Sequence, residues 1–174
     1  MAAPKTFTAF QADIQVATGA LGDVVEALHQ RGMKLNRVMV FDDATGEQLK
    51  LNTDTDLEAA TAAPPLPPSV AMPVTLELRI PARDRDWLER QSGGPSAAIR
   101  RLVAAARRDP AGLAREARDA AYRFIAMLAG DLAGYEEACR ALFAGDLERF
   151  DDAAAAWPPD IREHARWLGW RARI

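Results

Sequence analysis

The spacing of apolar positions changes period several times along the chain, and each change marks a new element. Residues 6–10 (TFTAF) and 14–18 (IQVAT) alternate in character and are separated by Gln11, Ala12 and Asp13, the pattern of a β-hairpin. Leu21, Val24, Val25 and Leu28 then fall at i, i+3, i+4 and i+7, which predicts an amphipathic helix closed at Gly32. A second hairpin follows, with residues 37–41 (RVMVF) and 47–51 (EQLKL) flanking 42–46 (DDATG). The Asp and Gly of that turn supply a side-chain hydrogen bond and a positive φ. The order is ββαββ, a sheet with a helix laid over one face, reminiscent of a β-grasp arrangement. Thr55 and Glu58 have the spacing of a capping box for a brief helix that ends before Pro64.

Residues 62–73 (AAPPLPPSVAMP) fix φ and lack backbone donors at their prolines, so they read as an extended linker. Beyond it, Val74, Leu76, Leu78 and Ile80 alternate with Thr75, Glu77 and Arg79, a half-buried strand that Pro81 stops. Pro81 opens a helix through Gln91 with Trp87 and Leu88 facing inward, and residues 92–95 (SGGP) break it. Ser96 then caps a longer helix with Ile99, Leu102, Val103 and Ala106 on one face and Arg100, Arg101, Arg107 and Arg108 largely on others.

The remainder is helical by pattern. One stripe runs through Leu113, Ala117, Ala121, Phe124, Ile125 and Leu128 to Gly130. A fifteen-residue repeat follows, AGDLAGYEEACRALF at 129–143 and AGDLERFDDAAAAWP at 144–158. Glycine ends one helix and aspartate caps the next, so Asp131 and Asp146 are the expected N-caps. A last helix from Pro158 or Pro159 buries Ile161, Trp167 and Trp170. The fold class is therefore α+β in four parts: a ββαββ domain (1–61), a Pro-rich linker (62–73), a strand-helix-helix segment (74–108) and a C-terminal helical bundle (109–174).

Composition narrows the function more than it defines it. A chain of 174 residues, 49% hydrophobic and 27% charged, suits one ordinary core or two small ones. The N-terminus lacks the plan of a signal peptide, and the long uncharged stretch between Glu58 and Glu77 is broken by five prolines. A cytoplasmic protein with no membrane span is expected. Cys139 is the one cysteine, which excludes an internal disulfide and a thiolate zinc cluster. His29 and His164 are the two histidines, and neither stands at the spacing of a nucleophile or metal motif. The pairs Glu136/Glu137 and Asp151/Asp152 point about 100° apart on their helices and read as solvated faces. No catalytic residue, cofactor site or metal site emerges, and no enzyme is expected.

The charge distribution singles out the middle segment. The net charge of −3 divides into −4 for residues 1–73, +4 for 74–108 and −3 for 109–174. The strand, short helix, glycine turn and second helix of that basic island resemble the ribbon-helix-helix fold of MetJ/Arc-type bacterial regulators. The resemblance implies a homodimer whose paired strands enter the DNA major groove with Thr75, Glu77 and Arg79. It also implies a phosphate at Ser96 and Ala97 and backbone contacts from Arg100 and Arg101. Separately, TFTAF, VMVFDDATG, WLERQSGGPSAAIRRLV and AAYRFIAMLAGDLAGYEEACRALFAGDLERF together look like a family of uncharacterised bacterial proteins, a resemblance running nearly end to end. The expectation is a dimeric DNA-binding protein of regulatory type. The competing expectation is a non-enzymatic adaptor that binds a protein partner through its N- or C-terminal part.

Overall fold

In the computed structural model, residues 5–50 and 77–171 are described. The expected capping box at Thr55 and Glu58, the Pro-rich linker, and Val74, Thr75 and Leu76 lie outside the described residues.

The N-terminal half has the expected order. β1 (Phe7–Gln11) and β2 (Ile14–Gly19) form a hairpin, α1 (Leu21–Gln30) follows, and β3 (Met39–Asp42) and β4 (Gln48–Leu49) form the second hairpin. The sheet order is β2-β1-β3-β4 with every ladder antiparallel, and Thr8 of β1 stands opposite Phe41 of β3. Arg37, expected in the strand, belongs instead to a 3-10 turn over Leu35–Arg37. The 42–46 turn closes as its residues dictate. Ala44 N–H donates to the Asp42 carboxylate at 2.8 Å, Gly46 N–H donates to the Asp42 carbonyl at 2.7 Å, and Gly46 has φ +71°.

The sheet is covered on both faces, not on the one face that the strand alternation implied. On one side Val24, Val25 and Leu28 of α1 pack on Phe7, Ala9, Val16 and Val40. On the other, Phe10 and Phe41 enter a core built by the C-terminal helices. Double coverage is why Phe7, Thr8, Ala9 and Phe10 are all buried in succession. At the contact, Phe124 sits with its ring centroid 5.2 Å from that of Phe10 and 5.1 Å from that of Phe41. Such aromatic contacts add about 0.5–1.5 kcal/mol each to their area burial. The sheet and the C-terminal helices, far apart in the sequence, thus share one hydrophobic core.

Those helices are α4 (Pro110–Leu128), α5 (Tyr135–Ala144), α6 (Leu147–Ala153) and α7 (Pro159–Trp170), preceded by α2 (Ala82–Glu89) and α3 (Gly94–Ala106). Asp109 caps α4 by accepting from Ala111 and Gly112 N–H, with Pro110 in the first turn. The repeat yields two successive helices, but only its second copy is capped as expected: Asp146 accepts from Arg149 N–H at 3.1 Å. Asp131 is not an N-cap. The first copy carries Gly134 where the second has Arg149, and that glycine takes φ +82° and delays the helix to Tyr135. A Cβ on Gly134 would lie 2.1 Å from the Ala153 carbonyl oxygen, so the two copies meet through this glycine. In α7, Ile161 and Trp170 are buried as expected, whereas Trp167 is half exposed, its ring stacked on His164 and under Arg171.

The tightest joint between sheet and bundle is Gly46, where a Cβ would stand 1.9 Å from the Ala120 carbonyl oxygen. Gly46→Ala adds that collision to the left-handed backbone penalty and should cost about 3 kcal/mol or more in denaturant unfolding. A loss within about 0.5 kcal/mol, the range of an ordinary surface change, would mean that the turn does not seat on α4. In the same assay Asp146→Ala should cost about 0.5–2 kcal/mol and Asp131→Ala much less. Equal losses would restore Asp131 as a cap.

Candidate nucleic-acid interface

Residues 77–108 form an arm distinct from the core. α2 and α3 pack on each other through Leu88 and Ala98, and neither of these buried residues joins either core cluster. Glu77, Leu78, Arg79 and Ile80 make no strand pairing within the chain, and all four are exposed. The expected strand is therefore unpaired over the residues described. Ser96 does not cap α3: Gly93, in the left-handed region at φ +81°, takes the N-cap position, and Ser96 falls inside the first turn. With Pro95 beside it, the first turn presents few N–H groups, those of Ser96 and Ala97 among them.

The apolar face expected to be buried is open. Leu78 is 54% exposed, Ile80 41%, Trp87 46%, Leu102 53% and Val103 51%. Trp87 was expected to face inward and does not. A helical hairpin this short can cover one side of each helix, and Leu88 with Ala98 takes that side. Five large apolar side chains of the arm are therefore solvent-exposed.

The arm's charges are already sorted. Its acidic residues on α2 pair locally, Asp84 with Arg83, and Asp86 and Glu89 with Arg85, at 3.3 to 3.5 Å. Among the described residues no carboxylate lies within 4.0 Å of Arg79, Arg100, Arg101, Arg107 or Arg108, all of them exposed. Arg101 donates to the Ser92 carbonyl at 2.9 Å, which closes the turn before α3. The candidate residues Glu77, Arg79, Ser96, Ala97, Arg100 and Arg101 thus sit on one arm, with Thr75 outside the described residues. That arm can offer phosphate a set of guanidinium groups not neutralised by neighbouring acids.

The bundle holds a polar network that the sequence pattern did not reveal. His164 Nε2 lies 3.4 Å from Asp43 Oδ1, with the residues 7% and 2% exposed. Thr8 donates its hydroxyl to Asp43 Oδ2 at 3.2 Å and shares a hydrogen bond with Thr18. The Phe10 and Phe124 rings flank the imidazole at 5.5 and 4.7 Å. Hydroxyl and imidazole both address the carboxylate, not each other. The Thr8–Asp43 hydrogen bond ties β1 to the 42–46 turn, and His164 of α7 packs beside the same carboxylate without a hydrogen bond to it.

The acidic pairs do not converge. Glu137 meets Arg140 at 2.7 Å and also Arg149, Glu136 meets Arg140 at 3.1 Å, and Asp151 meets Arg166 at 3.4 Å. Among the described residues no group of three or more His, Cys, Asp or Glu could hold a metal ion. A cleft of about 480 Å³ runs past Asp131, Tyr135, Glu136 and Arg140. Burial pushes the hydroxyl of Tyr135, which lines this cleft, and the thiol of Cys139, which does not, up from their ordinary values. No described helix is long and apolar enough to cross a membrane.

Residues 6–169 match the model of a family described as an uncharacterized protein conserved in bacteria (DUF2239). No curated protein and no solved structure matches the chain.

Hydrogen bonds from Arg140 and Arg149 hold the Glu137 carboxyl below its ordinary value of 4.5. A carboxyl lowered by folding stabilises the folded state above its unfolded value, and that contribution disappears as pH falls through the folded value. Glu137→Gln should therefore flatten the fall in unfolding stability below about pH 4.5 while changing its shape little near pH 7. An unchanged acid limb, followed by thermal unfolding at several pH values, would remove the linkage.

Proposed function

We propose, for a chain that belongs to this bacterial family, that it is a DNA-binding protein of regulatory type acting in the cytoplasm. Two copies pair through the segment around Leu78 and Ile80, and the paired segments enter the major groove. The observation that carries this reading is the arm itself. Residues 77–80 are unpaired and exposed, their apolar positions alternate with Glu77 and Arg79, and residues 74–108 as a whole carry +4 in a chain of −3. An exposed segment whose backbone groups are unpaired within the chain is open to strand addition, and a second identical segment can meet it by two-fold symmetry. In this arrangement Thr75, Glu77 and Arg79 face base edges. Arg100 and Arg101 stand beside phosphates, and the first turn at Ser96 and Ala97 lies against the backbone.

The exposed Trp87, Leu102 and Val103 favour a second reading, an adaptor that binds a protein, through the arm and not through the N- or C-terminal part that the sequence reading expected. The two differ in what the arginines do. In selection from random duplexes followed by titration at two salt concentrations, the DNA reading expects an enriched sequence and salt-dependent binding. Arg79→Ala should cost about 1–3 kcal/mol and relax preference at one base pair. Arg100→Ala or Arg101→Ala should weaken all sequences alike and lower the salt slope by about 1. Binding no tighter than about 10⁻⁴ M with nothing enriched would leave the adaptor ahead.

A further inference from the structure

Resting on the pairing just proposed, we infer that Glu77 is the partner of Arg79 from a second copy of the chain, and that the two-fold pairing is centred on Leu78. Glu77 is the residue that the DNA reading by itself leaves unexplained, a carboxylate on a surface that approaches phosphate. Both Glu77 and Arg79 are exposed, and among the described residues neither meets an opposite charge within 4.0 Å. The arm's other acids do not compete for Arg79, since Arg83 and Arg85 occupy them.

Two-fold antiparallel pairing leaves few registers. Centred on Glu77, it sets the two Glu77 carboxylates directly opposite each other, at Cβ separations of about 4.5–5.5 Å, where like charges destabilise a sheet. Centred on Leu78, it sets Glu77 of each copy opposite Arg79 of the other, twice over, with Leu78 against Leu78. The two registers differ by a two-residue slip, so Leu78 and Ile80 stay on the apolar face in both and burial does not choose between them. Charge does. The carboxylate is neutralised by the second copy, and the five donors of the guanidinium leave Arg79 with N–H groups for a base edge.

The test is a charge exchange read by light scattering across a dilution series without DNA. The variants are Glu77→Arg, Arg79→Glu and the double exchange. All changes are at exposed positions, and circular dichroism checks that each variant folds. The unchanged chain should have the mass of two copies. Each single variant should move the dissociation midpoint about tenfold or more to higher concentration, and the double exchange should return it to near the starting value. A double variant as weak as the singles, singles that match the unchanged chain, or an unchanged chain of single mass throughout would overturn the inference. Duplex titration of the same samples keeps the two claims apart: a dimer that shows the exchange behaviour and binds no duplex leaves the pairing standing and sinks the DNA reading.

Discussion

Everything in the body of the molecule depends on how the 42–46 turn is seated. This one loop is gripped by two helices distant in sequence. Gly46 lies against the Ala120 backbone of α4, and Arg123 donates to the Thr45 carbonyl at 2.8 Å. Arg171, at the end of α7, donates to the Ala44 carbonyl at 2.9 Å and to the Asp43 carbonyl. Asp43 itself is buried against His164 and Thr8. If the turn were displaced, β3 would lose its position beside β1, and Phe10 and Phe41 would lose Phe124 as a neighbour. Truncating a buried phenylalanine of that kind to alanine costs about 3–5 kcal/mol, a large share of the stability of a single domain.

That constraint also shows what a sequence can disclose and what it hides. The ββαββ order, the 42–46 turn and the second repeat's Asp146 cap are local, and each follows from propensity or spacing within a few residues. The second covering of the sheet is not local: nothing near Phe10 says that Phe124 will cover it. Strand alternation implied one buried face, yet Thr8 is buried too, because it serves Asp43. His164 reads as a histidine beside Glu163 in the sequence, whereas in the fold its partner is Asp43, 121 positions earlier. Asp131 failed as a cap for a different reason. The local signal was right in kind, but Gly134, three residues on, offered a left-handed position that let the chain turn closely against Ala153.

In the candidate interface the legible and the hidden parts divide in the same way. The basic island and the two-helix pattern could be read from residue order, and both helices are present. The exposure of Leu102, Val103 and Trp87 could not, since periodicity tells which residues share a face and not what covers it. The core shows what covered faces look like in this protein: α4 buries Ala117, Ala121, Phe124 and Ile125 completely or nearly so. By contrast, α3, thirteen residues long, buries one side chain, that of Ala98.

Net charge would seem to argue against a polyanionic partner, but range decides the matter. At physiological salt, exposed charges are screened beyond about 8 Å. A helix of the length of α3 spans roughly 20 Å, so even charges at its two ends act almost independently. A phosphate beside Arg100 and Arg101 therefore responds to those two guanidinium groups and their immediate neighbours, not to the chain's total of −3. The nearest acids on α2 are held by Arg83 and Arg85. The local field at α3 is thus positive whatever the sign of the whole. Under the proposed DNA reading, the acidic body has a separate effect: it disfavours non-specific adhesion along duplex DNA through surfaces other than the arm.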